Sequence, residues 1–496
     1  MRLLRSFPEG DNRTARVCFA LWCCPTVFSS YLCPSPHYTD GLGQCLKFIK
    51  PSERGADLDQ NIQQPWQGRA TLVLALSAVS VGLGNILRLP YAIGEQGGGA
   101  FLLIYVVATL VIALPVLIAE STVGSLGRNS PMGSIQWVAS LGHRDTRWRW
   151  LGFVQAMLAL TVASLLLLAM TPTAESALYV SDGSWAAASA TEIIEGLSAI
   201  DTADHLRVMA VLVAATSLAV LPGPQVILTL VGWVLLPTML FMVYTVLNFA
   251  ISEGDLQAAN EWLFSFQLDQ LTRQGVLAAG LAAVTTLAAG FGIGIIFGSR
   301  SPSGLPLVRS MMAVALIDMT IMLSIGIAIV AILAAVDTKM TQGVALVAVA
   351  IPHAFVNLPF GEVYGSLLLV GLLLATGAAM IALFEPAVAI FSRDFDVPRL
   401  VAVIMVATVV WLMAALWLTQ PSVAALVDGY LIPLFAPALI AVVAIFVGWL
   451  VPRPILRGEQ FKERPWLFGL WIATLRWLTP TACTMLLLDQ ARLLPF

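Results

Sequence analysis

The stretch Val81-GLGNILRLPYAIGEQGGGAF-Leu102 follows Ser80, and its opening, Ser80-Val-Gly-Leu-Gly-Asn85, interrupts an apolar run that starts near Arg69. A helix needs about 20 apolar residues to cross the hydrocarbon core, and the run over 70–93 is long enough. Glycines and an asparagine at its centre weaken the helical ladder where no water replaces lost hydrogen bonds. Such a break survives in a membrane only where the freed backbone lines a cavity or is buried in protein. A second run, over 275–299, is interrupted in the same way by Gly290-Phe-Gly-Ile-Gly294. The broken runs are the first and sixth of the chain, equivalent positions in a five-plus-five repeat. Paired breaks of this kind mark a midplane binding site in secondary transporters. Glycines also let helices pack closely, but Asn85 and Thr286 beside the two breaks favour a site.

The rest of the chain fits a membrane setting. Of its 496 residues, 58% are hydrophobic and 11% charged, with a mean hydropathy of +0.87, too apolar for a soluble domain. About eleven spanning helices are expected, over 70–93, 99–126, 150–171, 207–222, 225–250, 275–299, 309–336, 366–391, 398–418, 428–451 and 465–488. The net charge of −3 gives no reason to expect a nucleic-acid partner. Arg128, Arg144, Arg147 and Arg149 follow the second span, Arg300 and Arg309 the sixth, Arg393 and Arg399 the eighth, and Arg453, Arg457, Lys462 and Arg464 the tenth. These loops are expected in the cytoplasm. The acid-rich loops, with Glu175, Asp182, Glu192, Glu195, Asp201 and Asp204 and then Glu253, Asp255 and Glu261, are expected outside. The N-terminus is therefore read as cytoplasmic and the C-terminus as external, in a multi-pass protein of the plasma (inner) membrane.

Residues 1–62 are read as an N-terminal extension, disordered or mis-started. Cys18, Cys23, Cys24, Cys33 and Cys45 crowd it at spacings that fit neither a zinc site nor a disulfide frame. Residues 63–496 are read as the membrane core, with repeat 1 over about 66–250, repeat 2 over about 275–451 and an extra helix over about 465–488. No twelfth span follows, which leaves a lipid-facing edge open to a partner such as a second copy of the chain.

The motif at 81–102 resembles the first helix and following loop of the neurotransmitter:sodium symporter family, prokaryotic-type members included. The likeness continues through Glu120, LAAGFGIGIIF (287–297), LIDMT (316–320) and AIPHAFVNLPFGEVYG (350–365). It implies the LeuT fold: an all-α polytopic bundle with a five-plus-five inverted repeat in which helices 1 and 6 are broken. It implies a first sodium site from Ser80, Asn85, Thr286 and Asp318, completed by the carboxylate of an amino-acid substrate. Those are hard oxygen donors, as an alkali cation requires. The substrate carboxylate would meet backbone N–H groups around Gly82, Leu83 and Gly84, where the half-helix end favours an anion. Asp318 is costly on an apolar helix, about 2.5–3.5 kcal/mol on insertion scales. The resemblance also implies chloride independence, because this aspartate supplies the charge that chloride brings elsewhere in the family. Arg88 and Asp428 match an outer gate, and Trp66 an inner plug, though Gln63 stands where a basic gate residue is usual. Asp428 lies only five residues before Pro433, about one turn short of the family pattern. Glu120 and Glu385 are read as hydrogen-bond anchors within the membrane.

Several positions depart from the family. A second sodium site would draw on carbonyls at Ala78, Val81 and Ala375, but the usual hydroxyl pair reads Ala378-Ala379, so it is expected to be weak or empty. The span-three tyrosine is replaced near Leu166, and the aromatic lid by Thr285. The expected pocket, from Val162, Leu166, Thr285, Thr286, Ala288, Phe291, Ala379 and Leu383, is mostly apolar. His143 and His353 have no second ligand at metal spacing, and no catalytic motif is present. The resulting expectation is a sodium-coupled symporter of an amino-acid-like, hydrophobic solute working by alternating access, and not an enzyme. A diverged receptor or interaction protein and a proton-coupled carrier are the alternatives.

Overall fold

The structure, a computed structural model, describes residues 68–81, 88–223, 226, 229–302, 305–458, 461 and 465–493. The expectations placed on residues 1–62, Trp66, Gly82, Leu83, Gly84 and Asn85 lie outside the described residues.

The described chain is helical almost throughout. In order it runs α1 (Arg69–Ser80), α2 (Leu89–Glu95), α3 (Gly99–Gly127), α4 (Pro131–Leu141), α5 (Thr146–Ser181), α6 (Ala190–Ser198), α7 (Thr202–Val220), α8 (Val231–Glu253) and α9 (Leu256–Phe264). It continues with α10 (Arg273–Thr286), α11 (Ile293–Ser299), α12 (Leu307–Ala335), α13 (Leu346–Val356), α14 (Gly361–Arg393), α15 (Arg399–Thr419), α16 (Pro421–Leu450), α17 (Arg453–Arg457) and α18 (465–493). Eight of these, α3, α5, α7, α8, α12, α14, α15 and α16, are long and apolar enough to cross a membrane by length and composition. The helices α1–α2 and α10–α11 correspond to the two broken runs, and α18 to the eleventh.

Prolines shape the long helices. In α3, α8, α13, α16 and α18 the residue before Pro115, Pro237, Pro352, Pro433 or Pro480 donates its N–H five residues back, as Ile432 does to the carbonyl of Val427. Proline offers no N–H and crowds the carbonyl four residues earlier, so the turn ahead of it widens to a π-type turn. This matters most at 427–431. The widened turn holds one extra residue and contains Asp428.

Three boundaries depart from the sequence reading. The sixth helix breaks at 287–292, three residues ahead of the Gly290–Gly294 run, and Ile293 and Gly294 are already helical. The third span continues past Pro172 to Ser181, so Glu175 lies inside a helix rather than in an outer loop. Its Oε1 meets Nδ1 of His205 on α7 at 2.6 Å, and this partner offsets the cost of burying the carboxylate. The tenth span begins at Pro421, seven residues before Asp428.

Small residues set the closest approaches. A Cβ on Gly124 of α3 would stand 2.1 Å from the carbonyl oxygen of Ile295, and one on Gly298 would stand 2.1 Å from that of Ser121. Backbones that close tolerate no side chain, so α11 lies directly on α3. On the opposite side of the site the long helices α5 and α14 pack along each other, with α15 against both.

Candidate transport site

Thr286 ends α10, and three of the next six residues take positive φ: Ala288 (47°), Gly290 (89°) and Gly292 (75°). Left-handed residues cannot continue a right-handed helix, so the chain turns aside until Ile293. The amide groups freed there need acceptors. Glu120 supplies one: its Oε1 accepts from the amides of Gly290 (3.2 Å) and Gly292 (3.3 Å) and from Nε2 of Gln155 (2.6 Å). The side chain is fully buried. Gly294 serves a different purpose from its neighbours, because a Cβ there would meet Glu120 Cβ at 2.7 Å. The glycines of this run therefore divide between breaking the helix and letting Glu120 approach it.

A cavity of about 340 Å³ opens beside the break. Ser80 closes it at the end of α1, Thr285, Thr286, Ala288 and Phe291 along the sixth helix, Val162 and Leu166 on α5, and Ala379 and Leu383 on α14. Arg88 and Asp428 also border it and form an ion pair across its mouth. The sequence points to every one of these positions. Val79, Leu165, Leu168, Ala169 and Ile432 line the cavity too and are not singled out by the sequence motifs. Helical spacing from Val162 and Leu166 reaches Ala169, and Leu165 is one step aside on the same helix. The Thr285 hydroxyl turns back onto the carbonyls of Leu281 (3.3 Å) and Ala282 (3.1 Å), so its polar end is engaged by its own helix.

Behind the cavity lies a polar node. Thr286 donates its hydroxyl proton to the carbonyl of Ala282 (2.7 Å) and accepts from the Tyr105 hydroxyl (2.9 Å), which leaves one oxygen lone pair for a further partner. Tyr105, on α3, is a site residue that the sequence reading misses, although it is the sole tyrosine of an apolar run. Asp318 on α12 is fully buried, and no basic side chain pairs with it among the described residues. The Ser80 side chain stands within hydrogen-bond reach of it, and Tyr105 lies close enough to feel its charge. An unpaired buried carboxylate is costly, and a cation held beside it removes that cost. The node fits a small cation bound by oxygen: a carboxylate, a free hydroxyl lone pair and the chain ending α1 at Ser80.

The second candidate ion site is different. Ala78, Val81 and Ala375 are buried, and Ala378 and Ala379 present methyl groups. The nearby Thr376 hydroxyl donates to the carbonyl of Leu372 (2.7 Å). Glu385, farther along α14, pairs through Oε1 with Arg399 at 2.6 Å, and Arg399 also donates to the carbonyls of Val220 and Leu221. That contact ties α14, α15 and the end of α7 together and lies apart from the residues lining the cavity.

Comparison with known proteins agrees with this architecture. Residues 63–172 match the model of the sodium:neurotransmitter symporter family. The sodium-dependent transporter YhdH of Bacillus subtilis is 26% identical over 341 residues, 67% of this chain and 74% of that protein. A sodium-dependent transporter of Methanocaldococcus jannaschii is 23% identical over 437 residues, 82% and 86% of the two chains. Among solved structures, MhsT in complex with L-phenylalanine superposes with a TM-score of 0.77 at 24% identity, over 86% of this chain and all of that one. The family match over residues 63–172, relatives aligned over most of the chain and a common fold lead to one conclusion: this chain is a multi-pass membrane transport protein, not an enzyme, similar to the sodium:neurotransmitter symporter family.

Proposed function

We propose that the protein is a sodium-coupled symporter of a hydrophobic amino acid, working by alternating access. The observation that carries this reading is the fully buried Asp318, which pairs with no basic side chain among the described residues, set behind a cavity whose walls are mostly apolar. Sodium between Asp318, Thr286 and the carbonyl of Ser80 would neutralise the carboxylate. It would also present a positive charge to the carboxylate of the solute, so that ion and solute bind together. Val162, Leu166, Phe291, Ala379 and Leu383 leave little for a polar side chain to bond, which selects an apolar one. The relatives named as sodium-dependent transporters and the L-phenylalanine held by MhsT are consistent with this reading.

Arg88 and Asp428 act as the outer gate, and the basic loops lie in the cytoplasm. Ala378 and Ala379 leave the second ion site too poor in oxygen, so one sodium accompanies each solute. The deciding experiment is uptake of a panel of amino acids into proteoliposomes with and without a sodium gradient, for the wild type and Asp318→Ala. Sodium-stimulated uptake of apolar amino acids that the variant loses supports the proposal. Uptake that responds to a proton gradient alone, or uptake confined to polar solutes, overturns it.

A further inference from the structure

Arg476 is the basic residue in the interior of α18, on a stretch otherwise occupied by apolar side chains and threonines, and the transport site does not use it. A guanidinium on a membrane helix is costly and calls for a partner or a task. Its Nε donates to the carbonyl of Gly448 (2.5 Å) near the end of α16, where orphan carbonyls favour a cation. The guanidinium lies over the ring of Trp449 at 5.2 Å, and Trp449 in turn meets Trp477 edge-on at 5.3 Å. Both indoles are exposed. The terminal nitrogens of Arg476 have no hydrogen-bond partner among the described residues.

Among the described residues the charge around it is one-sided. Arg453, exposed on α17, lies within electrostatic range of Arg476. No acidic side chain pairs with either among the described residues. On the adjoining loop Arg144 donates to the carbonyl of Leu450 (3.4 Å), while Asp145 is engaged by Arg147 (3.7 Å). Apolar surface continues along the same helix, with Leu470 and Leu478 exposed. Paired guanidiniums, flanking indoles and an apolar strip beyond them match, part by part, a phosphate, the interfacial region and an acyl chain. Free phosphate would make no use of the indoles or of the apolar strip.

We propose that the junction of α16 and α18 binds the headgroup phosphate of an anionic phospholipid between Arg476 and Arg453, with Trp449 and Trp477 at its sides. The proposal does not depend on the identity of the transported solute. It is tested by extracting the full chain from membranes of equimolar phosphatidylglycerol and phosphatidylcholine and weighing the lipids retained on the intact protein. Wild type is expected to retain phosphatidylglycerol in preference. Arg453→Gln and Arg476→Gln are each expected to weaken that preference about fivefold, whereas Arg207→Gln, at the other end of the molecule, leaves it unchanged. Should Arg476→Gln fail to fold, the exposed Arg453→Gln alone decides the matter. No preference in the wild type, an unchanged preference in Arg453→Gln, or displacement of the lipid by millimolar inorganic phosphate would overturn the proposal.

Discussion

On its α12 side the cavity is backed by a carboxylate, a threonine hydroxyl and a tyrosine that orients that hydroxyl, all buried. On its α14 side the corresponding layer consists of Ala375, Ala378 and Ala379, and the helix runs through unbroken to Arg393. The sixth helix has given up its ladder at 287–292 and frees backbone groups, while α14 stays helical beside the cavity. The contrast teaches that a membrane helix offers ion ligands in two ways, through polar side chains or by breaking. The first side of the cavity uses both. The second uses neither.

The largest effect is expected for Asp318→Ala. Removing one partner of a buried charge pair costs about 3–5 kcal/mol, so sodium stimulation of solute binding is expected to vanish, measured by scintillation proximity or calorimetry across sodium concentrations. Retention of full sodium dependence would move the ion site elsewhere. Next in size is the reverse change on the poorer side: Ala378→Thr with Ala379→Ser restores two hydroxyls. The sodium dependence of binding is then expected to turn from hyperbolic to sigmoidal as a second ion enters.

Glycine substitutions sharpen the contrast between broken and continuous helix. Gly292→Ala places a side chain at φ 75°, which costs about 1–2 kcal/mol, and is expected to lower the melting temperature and slow uptake. Gly377→Ala, in α14, meets nothing within 4 Å and is expected to leave both unchanged or raise stability slightly. The smallest effect is expected for Tyr105→Phe. It removes the hydrogen bond to Thr286, about 0.5–1.5 kcal/mol, and should weaken sodium affinity severalfold without abolishing transport.

Much of the site is legible in the amino-acid sequence. The positions Val162, Leu166, Thr286, Phe291, Ala379, Leu383, Arg88 and Asp428 carry a register that the motifs set, and they border one cavity. Legibility is poorest where two distant segments meet. Tyr105 and Thr286 are 181 residues apart, and nothing local to either announces their bond. Glu175 reads as an outer-loop charge because Pro172 and its polar neighbours end the apolar count, whereas His205 on α7 lets the helix carry that carboxylate inside. Arg399 reads as a loop cation, yet it holds Glu385 and the end of α7.

Composition and period alone determined that the chain lives in lipid, which segments are apolar enough to enter it, and which two of them are interrupted, because apolar length and glycine placement act locally on the backbone. Tertiary structure alone decided where the sixth break falls, since the break is shared among Ala288, Gly290 and Gly292 and held by Glu120 from another helix. It also decided how Asp428 reaches Arg88 across 340 residues, through the turn that Pro433 widens. Local signals report what a segment can do, and the partner that makes it do so is fixed by packing.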